Sequence, residues 1–393
     1  VGNIHAQGVV LRIVWQSNSP TNNSGYGKQT ALFVPRINAL PEHEIIAISS
    51  PYSFGGSPIE WNDIPIFGTA RDAGGNDTII SNHEYCKADL TFVLADPFGL
   101  MKSASALSQI NVAHWFPVDT SPLASGDVMV LREGQGIPVA MSRFGERILR
   151  DEGAEPLYVP HAVDRQVFCP GDPQPYRDTV HEIGPETFTI GLVAMNRDVL
   201  RKGIPEQMTA FAEFHRRHPD SYLALHTSPV NNPGLNLPGL AARLGIAGAV
   251  GYPDSYSYDL SLITDTQMAS WYQGLDILSL CSYGEGFGLP LIEAQSCGVP
   301  VVTTDGSAMS ELCGGGWLVE GSPFWSSGHD AWWTRPDVSD IVEAYEAAWQ
   351  AKQDGSIGQI RKAAYEFAML YDVDRVFEEY MKPVLAQIEE RIK

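Results

Sequence analysis

Cysteine is scarce in this chain, and what there is does not pair. Cys86, Cys169, Cys281, Cys297 and Cys313 are odd in number and show no C-x-x-C spacing. That argues against a disulfide framework or a cysteine zinc site and fits reduced, mostly buried thiols. Long apolar runs are also missing. Nothing approaches the roughly 20 residues that a membrane-spanning helix needs, and mean hydropathy is −0.11. The first residues lack the basic-then-apolar pattern of a secretory leader, so a cytoplasmic setting is expected. Positive charge is the third shortage: Lys and Arg number 26 against 47 Asp and Glu, for a net charge of −21. Duplex DNA and anionic lipid surfaces are bound by clustered cations, so neither is an expected partner. A small basic pocket is still compatible with this balance. Repeats and low-complexity tracts are absent, and no G-x-G-x-x-G follows the first strand of either half, which argues against a nicotinamide-dependent dehydrogenase.

What is present is an ordinary globular composition, 44% hydrophobic over 393 residues, enough for two or three domains. Short apolar runs alternate with helical patterns. In the first half, residues 9–15, 43–49, 64–67, 89–94, 110–115 and 157–164 read as strands, and 138–149 as a strand and a helix. A second series starts at residue 187 and continues through 221–226, 275–280 and 299–303. Residues 169–186, rich in Pro, Gly and acid, read as a linker. The expected architecture is α/β, with two Rossmann-like parallel-sheet domains facing a cleft. The expected division is 1–168, a linker at 169–186, 187–370, and a terminal helix at 371–393 that crosses back to the first domain.

One stretch organises the rest. The apolar run Leu275-Asp276-Ile277-Leu278-Ser279-Leu280 leads into the turn Gly284-Glu285-Gly286-Phe287-Gly288. Pro290 suits the first turn of a helix, Gly298 suits its end, and a second apolar strand follows. Glycines let backbone N–H groups approach a ligand, and a helix N-terminus offers unpaired donors with partial positive charge, so phosphate is the natural guest. Glu285 and Glu293 flank that loop, and carboxylates at this spacing suit the paired hydroxyls of sugars.

The frame E-G-F-G-L-P-L-I-E-A, with seven residues between Glu285 and Glu293, resembles the signature of retaining nucleotide-sugar glycosyltransferases of the two-domain GT-B architecture, similar to glycosyltransferase family 4. The resemblance implies that Glu293 holds the donor ribose and Glu285 the transferred sugar. It further implies that the backbone of Gly286, Phe287, Gly288 and Leu289 lies against sugar and diphosphate. Arg197 and Lys202, in the loop after the first strand of the second series, resemble the family's Arg…Lys-Gly pair that neutralises the diphosphate; Arg201 beside them is expected to face solvent. His114, expected at the end of its strand, resembles the family's histidine at the reacting centre. Gly25 and Gly27 resemble its glycine loop bordering the active cleft. Residues 161–162 are His-Ala where the family has Asn-Gly, which puts any contact there in doubt.

The resemblance thus implies transfer of a hexosyl group, glucose-like or mannose-like, from a nucleotide diphosphate sugar to an unidentified hydroxyl acceptor, with a uridine diphosphate sugar favoured. His114, Glu285, Arg197 and Lys202 would be catalytic. No metal is expected, and no cofactor beyond the sugar-nucleotide donor, which is a substrate. A sugar-nucleotide epimerase or a phosphorylase on the same fold remains open, as does a non-catalytic nucleotide- or carbohydrate-binding protein. The aromatic group Phe324, Trp325, Trp332 and Trp333 reads as packing of a loop insertion, with stacking on a carbohydrate acceptor as the alternative; Asp119 reads as a turn cap or a weaker site candidate, and Asp372-Val373-Asp374 as a helix cap rather than a metal motif.

Overall fold

The computed structural model describes residues 10–51, 58–68, 72, 74–184 and 186–393. Val9, which the expected first strand included, and part of the turn-rich stretch before Gly75 lie outside them. The chain forms two units. One comprises the chain up to Val118, Leu123–His161 and Asp374–Lys393; the other comprises Asp119–Pro122 and Ala162–Val373.

The first unit is built on strands β1 (Leu11–Gln16), β2 (His43–Ser49), β3 (Ile59–Trp61), β4 (Ile64–Phe67), β5 (Leu90–Val93), β6 (Val112–Phe116), β7 (Ile137–Ala140) and β8 (Leu157–Tyr158). They pair in the order β3-β4-β2-β1-β5-β6-β7-β8, parallel throughout except β3 against β4. Central strands buried on both faces account for their uninterrupted apolar sequences. Trp15 stacks on Phe92 at 4.7 Å, and Trp115 meets Phe92 and Phe33 edge-on. Each buried indole finds a partner: Trp15 Nε1 donates to Thr30 Oγ1 and Trp115 Nε1 to the Val159 carbonyl. The terminal segment runs through Val373–Val376 and a π-helical stretch, Phe377–Met381, before Lys382–Ile392, in place of a single regular helix. Pro383 has no N–H to donate to the preceding turn, which accounts for the irregularity. The Asp374 carboxylate pairs with Arg36 at 2.8 Å.

The second unit carries β9 (Phe188–Val193), β10 (Ser221–His226), β11 (Val250–Gly251), β12 (Ile277–Leu280), β13 (Val301–Thr304) and β14 (Gly316–Val319), all parallel, in the order β11-β10-β9-β12-β13-β14. Phe188, Ile190, Leu192, Phe211 and Phe214 pack with Leu223, Ile277, Val302 and Tyr345 in its core. Gln174–Arg177 forms a helical turn, and Arg177 is buried against Asp276 and the Gly274 carbonyl. The tryptophan-rich segment is a regular antiparallel hairpin, β15 (Gly321–Ser326) with β16 (Ala331–Pro336). Trp325 and Trp332 face each other across it and are exposed, whereas Trp333 is buried. Among the described residues no helix is long and apolar enough to cross a membrane.

Candidate functional site

Strand order locates the site before any side chain does. In the second unit the chain leaves β9 towards β10 on one side and β12 towards β13 on the other, so β9 and β12 flank a topological switch point. Open parallel sheets bind ligands at the carboxyl ends of the strands at such a point. Two helices begin there, Ile204–Arg217 after β9 and Leu289–Ser296 after β12. Neither has a capping side chain, and each starts from a left-handed glycine, Gly203 (φ 56°) and Gly288 (φ 104°). Gly203 is obligatory for a second reason: a Cβ there would lie 2.3 Å from the Cys281 carbonyl oxygen. Uncapped N-termini leave backbone donors and the positive ends of two helix dipoles for an anion.

Glu285, 8% exposed, is the hub of the polar groups. Its Oε1 accepts from Lys202 Nζ at 2.7 Å and Ser282 Oγ at 2.6 Å, and its Oε2 lies 3.5 Å from Arg201 Nη1. Its backbone N–H donates to Ser307 Oγ at 3.0 Å. Arg201 Nη1 also donates to the Gly284 carbonyl at 3.1 Å and lies 3.4 Å from Asp119 Oδ2. Burial pushes the Glu285 carboxyl up, but the charges of Lys202 and Arg201 and the bonds from Lys202 and Ser282 outweigh it, leaving its pKa below the ordinary value. For Lys202, burial and then the neighbouring Arg201 prevail over the attraction of Glu285, so its pKa is lowered. An ammonium held in this way beside a second cation is energetically receptive to a further anion.

Glu293 sits on the helix Leu289–Ser296, 6% exposed, and its Oε2 accepts from Tyr272 Oη at 2.8 Å. Burial, and then the adjacent Glu293 charge, push the Tyr272 hydroxyl well above its ordinary pKa, so it is a fixed donor. Gly286 and Leu289 are half-buried, while Phe287 is buried with its ring 5.7 Å from Tyr371. The loop is clamped from the hairpin side: Thr334 N donates to the Tyr283 carbonyl, and Gly284 lies so close to its neighbours that a Cβ would fall 2.4 Å from the Asp119 carbonyl oxygen and 2.7 Å from Trp333 Cδ1. Ser121 and Trp332 exchange two backbone hydrogen bonds. The tetrapeptide Asp119–Pro122 is thereby part of this unit, and the Asp119 carboxylate lies 3.4 Å from Arg201.

The expected residues therefore separate. Lys202 and Glu285 meet, with Glu293 and the glycine turn on the same β12–helix connection. Arg197 is exposed and in no ion pair among the described residues, and Arg201, expected to face solvent, turns inward in its stead. Arg201 is held by Asp119, 82 residues away, by the Gly284 carbonyl and Glu285, and by the nearby Asp198.

His114, Gly25 and Gly27 belong to the first unit. His114 is not at a strand end: β6 continues to Phe116, and the ring is 2% exposed with Nε2 3.0 Å from the Ala95 carbonyl oxygen. Burial, opposed only by that hydrogen bond, pushes its pKa down to about 4, so the imidazole is neutral and donates. Gly25 and Gly27 form the first turn of the helix Gly25–Asn38 rather than a loop, capped by Ser24 Oγ, which accepts from Gly27 N. A Cβ on Gly27 would lie 2.2 Å from the Asn22 carbonyl oxygen, so this glycine is fixed by packing of the helix start on the preceding turn. Among the described residues no group of three His, Cys, Asp or Glu could hold a metal ion.

Comparison with known proteins gives the following likenesses. The family described as "Glycosyl transferases group 1" matches residues 242–330, a span that includes Glu285, the glycine turn and Glu293. D-inositol 3-phosphate glycosyltransferase 2 of Catenulispora acidiphila is 29% identical over 239 residues, 57% of this chain and 54% of that protein. D-inositol 3-phosphate glycosyltransferase of Rhodococcus erythropolis is 25% identical over 325 residues, 76% of this chain and 71% of that protein. The chain spans about half the length of the first of these relatives, 54%. Among solved structures, sucrose-phosphate synthase from Thermosynechococcus elongatus superposes with a TM-score of 0.74 at 15% identity, covering 97% of this chain and 100% of that one. HepE of Anabaena, solved with UDP and glucose, gives 0.71 at 14% identity, covering 96% and 100%. Residues 242–330 thus match the group 1 glycosyl transferase family, and the fold is the GT-B fold of sucrose-phosphate synthase and HepE.

Proposed function

We propose that this chain transfers a hexosyl group from a uridine diphosphate sugar to a hydroxyl acceptor, with retention of configuration and without a metal. The observation that carries the reading is the buried Glu285 held by Lys202, Ser282 and Arg201 at the β9/β12 switch point, beside two uncapped helix N-termini. In this reading the helix N-termini and the backbone of Gly286, Phe287, Gly288 and Leu289 hold the diphosphate. Lys202, with Arg197 swinging in from solvent, stabilises the charge that grows on the leaving group. Glu285 orients the sugar and Glu293, set by Tyr272, accepts from the ribose hydroxyls. No side chain of this unit is assigned as a nucleophile; the donor phosphate takes the acceptor proton. The names of relatives support the donor and suggest an acceptor to try first: HepE was solved with UDP-glucose, and the inositol-phosphate enzymes name a phosphorylated cyclitol.

The test is a thermal-shift series with UDP, GDP and ADP, with and without magnesium, on the parent and on Glu293→Ala. A ligand of the folded state raises Tm with its occupancy. UDP should stabilise the parent without magnesium and stabilise the variant far less. Equal shifts in the two proteins would remove Glu293 from the site, and a shift only with GDP or ADP would replace the donor. Sugar release from UDP-glucose, with D-inositol 3-phosphate as the first acceptor, then separates transfer from mere binding.

A further inference from the structure

A second cavity lies at the opposite edge of the same sheet. It encloses about 560 Å³ and lies where the chain enters β9, β12 and β13, at their amino ends rather than their carboxyl ends. Its chemistry runs against the composition of the chain. In a protein of net charge −21, this cavity is lined by Arg177, Lys352, Arg361 and Lys362 with Asp276 as its lone acid.

The charges there do not balance. Asp276 Oδ2 accepts from Arg177 Nη2 at 3.0 Å and from Thr189 N at 2.9 Å, and Oδ1 takes Lys352 Nζ at 2.9 Å with Arg361 Nη2 3.9 Å away. One carboxylate thus faces three cations whose side chains are 9%, 24% and 34% exposed. Arg177 and Arg361 spend other donors on carbonyls, those of Gly274 and Thr187 and those of Leu275 and Gly298. Carbonyls orient a guanidinium but do not neutralise it. Lys362 at the rim is 3.7 Å from Glu366 and mostly exposed. Partly desolvated cations in excess over their counter-charge are stabilised by an anion, and forked guanidinium and ammonium donors together suit phosphate oxygens.

We infer that this cavity binds a small phosphorylated molecule, its phosphate among Lys352, Arg361 and Lys362, at a site separate from the sugar-nucleotide loop. The volume exceeds what inorganic phosphate fills, which favours a phosphomonoester with a small polar body. The inference does not depend on the function proposed above.

Phosphate would also be drawn to Lys202, so the experiment starts from Lys202→Met, which weakens that competing site. Inorganic phosphate and glucose 6-phosphate are titrated calorimetrically at constant ionic strength into this background, and into the same background carrying Lys352→Gln, Lys352→Arg or Lys362→Gln. Binding should persist in Lys202→Met and weaken at least about tenfold with Lys352→Gln. It should be largely kept by Lys352→Arg, and fall about threefold with Lys362→Gln, whose rim position leaves folding intact. Tighter binding of glucose 6-phosphate than of phosphate identifies the phosphomonoester as the ligand class; the reverse assigns the site to free phosphate. Loss of all binding in Lys202→Met, or affinities indifferent to both Lys352→Gln and Lys362→Gln, overturns the inference.

Discussion

Replacing Lys202 by methionine should do two separable things. The methionine fills much the same space but leaves Glu285 buried without its shortest charged donor, the 2.7 Å bond from Nζ. Removing one partner of a buried pair costs about 3–5 kcal/mol when nothing compensates. Here Ser282 Oγ stays at 2.6 Å and Arg201 Nη1 at 3.5 Å, so the expected loss is smaller, about 2–3 kcal/mol. The sign with pH follows from burial. In the parent, Glu285's depressed pKa contributes stability above the ordinary carboxylate range that is lost as pH falls through the folded value. Without Lys202 the burial contribution is opposed by Arg201 and Ser282 alone, and the carboxyl pKa moves up. The deficit relative to the parent should then be largest near pH 7.5 and shrink towards pH 5, where Glu285 can take a proton. Urea unfolding at both pH values measures it. Adding Glu285→Gln to Lys202→Met should recover at least about 1 kcal/mol, because a neutral amide no longer strands a charge, while under the proposed diphosphate role of Lys202 turnover stays at least about a hundredfold down. A double variant no more stable than Lys202→Met, or a deficit that does not change with pH, would refute the electrostatic account of this pair.

Three further outcomes follow from geometry already described. The His114 ring titrates near 4 when folded and near 6.5 when unfolded, so the unfolded chain binds the extra proton between those values. Stability should therefore fall by about 3 kcal/mol on this account as pH drops from 6.5 to 4, and urea midpoints of His114→Phe should fall less over that range than the parent's. Gly284→Ala drives a methyl into the Asp119 carbonyl and Trp333 and should cost about 1–3 kcal/mol in thermal unfolding, whereas Gly248→Ala, with nothing within 4 Å, should change it little. Tyr272→Phe strips Glu293 of a buried donor; a loss of about 1–3 kcal/mol with a several-fold weaker UDP Kd by calorimetry is expected, and an unchanged Kd would confine Tyr272 to a structural role.

What could be read in advance was local. The β12–turn–helix unit announced itself because apolar run, glycines, Pro290 and Gly298 all lie within two dozen residues and each constrains its own backbone. The inward turn of Arg201 could not be read this way, because Asp119, the Gly284 carbonyl and Glu285 lie 82 to 84 residues away in the chain. His114 was misplaced on its strand because Trp115 and Phe116 extend β6 with no breaker before Pro117. The hairpin was hidden because its inward and outward positions are both aromatic, so Trp332 and Trp333 mask the alternation that marks a strand. The cavity cations were invisible for a similar reason: Arg177, Lys352 and Arg361 are far apart in the chain and meet only in the folded unit.

The tetrapeptide Asp119–Pro122 sets a rule for anyone recombining this molecule. The polypeptide passes between its two units after Val118, Pro122, His161 and Val373. No single cut therefore yields either unit whole. A fragment starting at Ala162 leaves Arg201 without Asp119 and the hairpin edge without Ser121, and a chimera that exchanges the second unit between relatives must carry those four residues along as a separate graft.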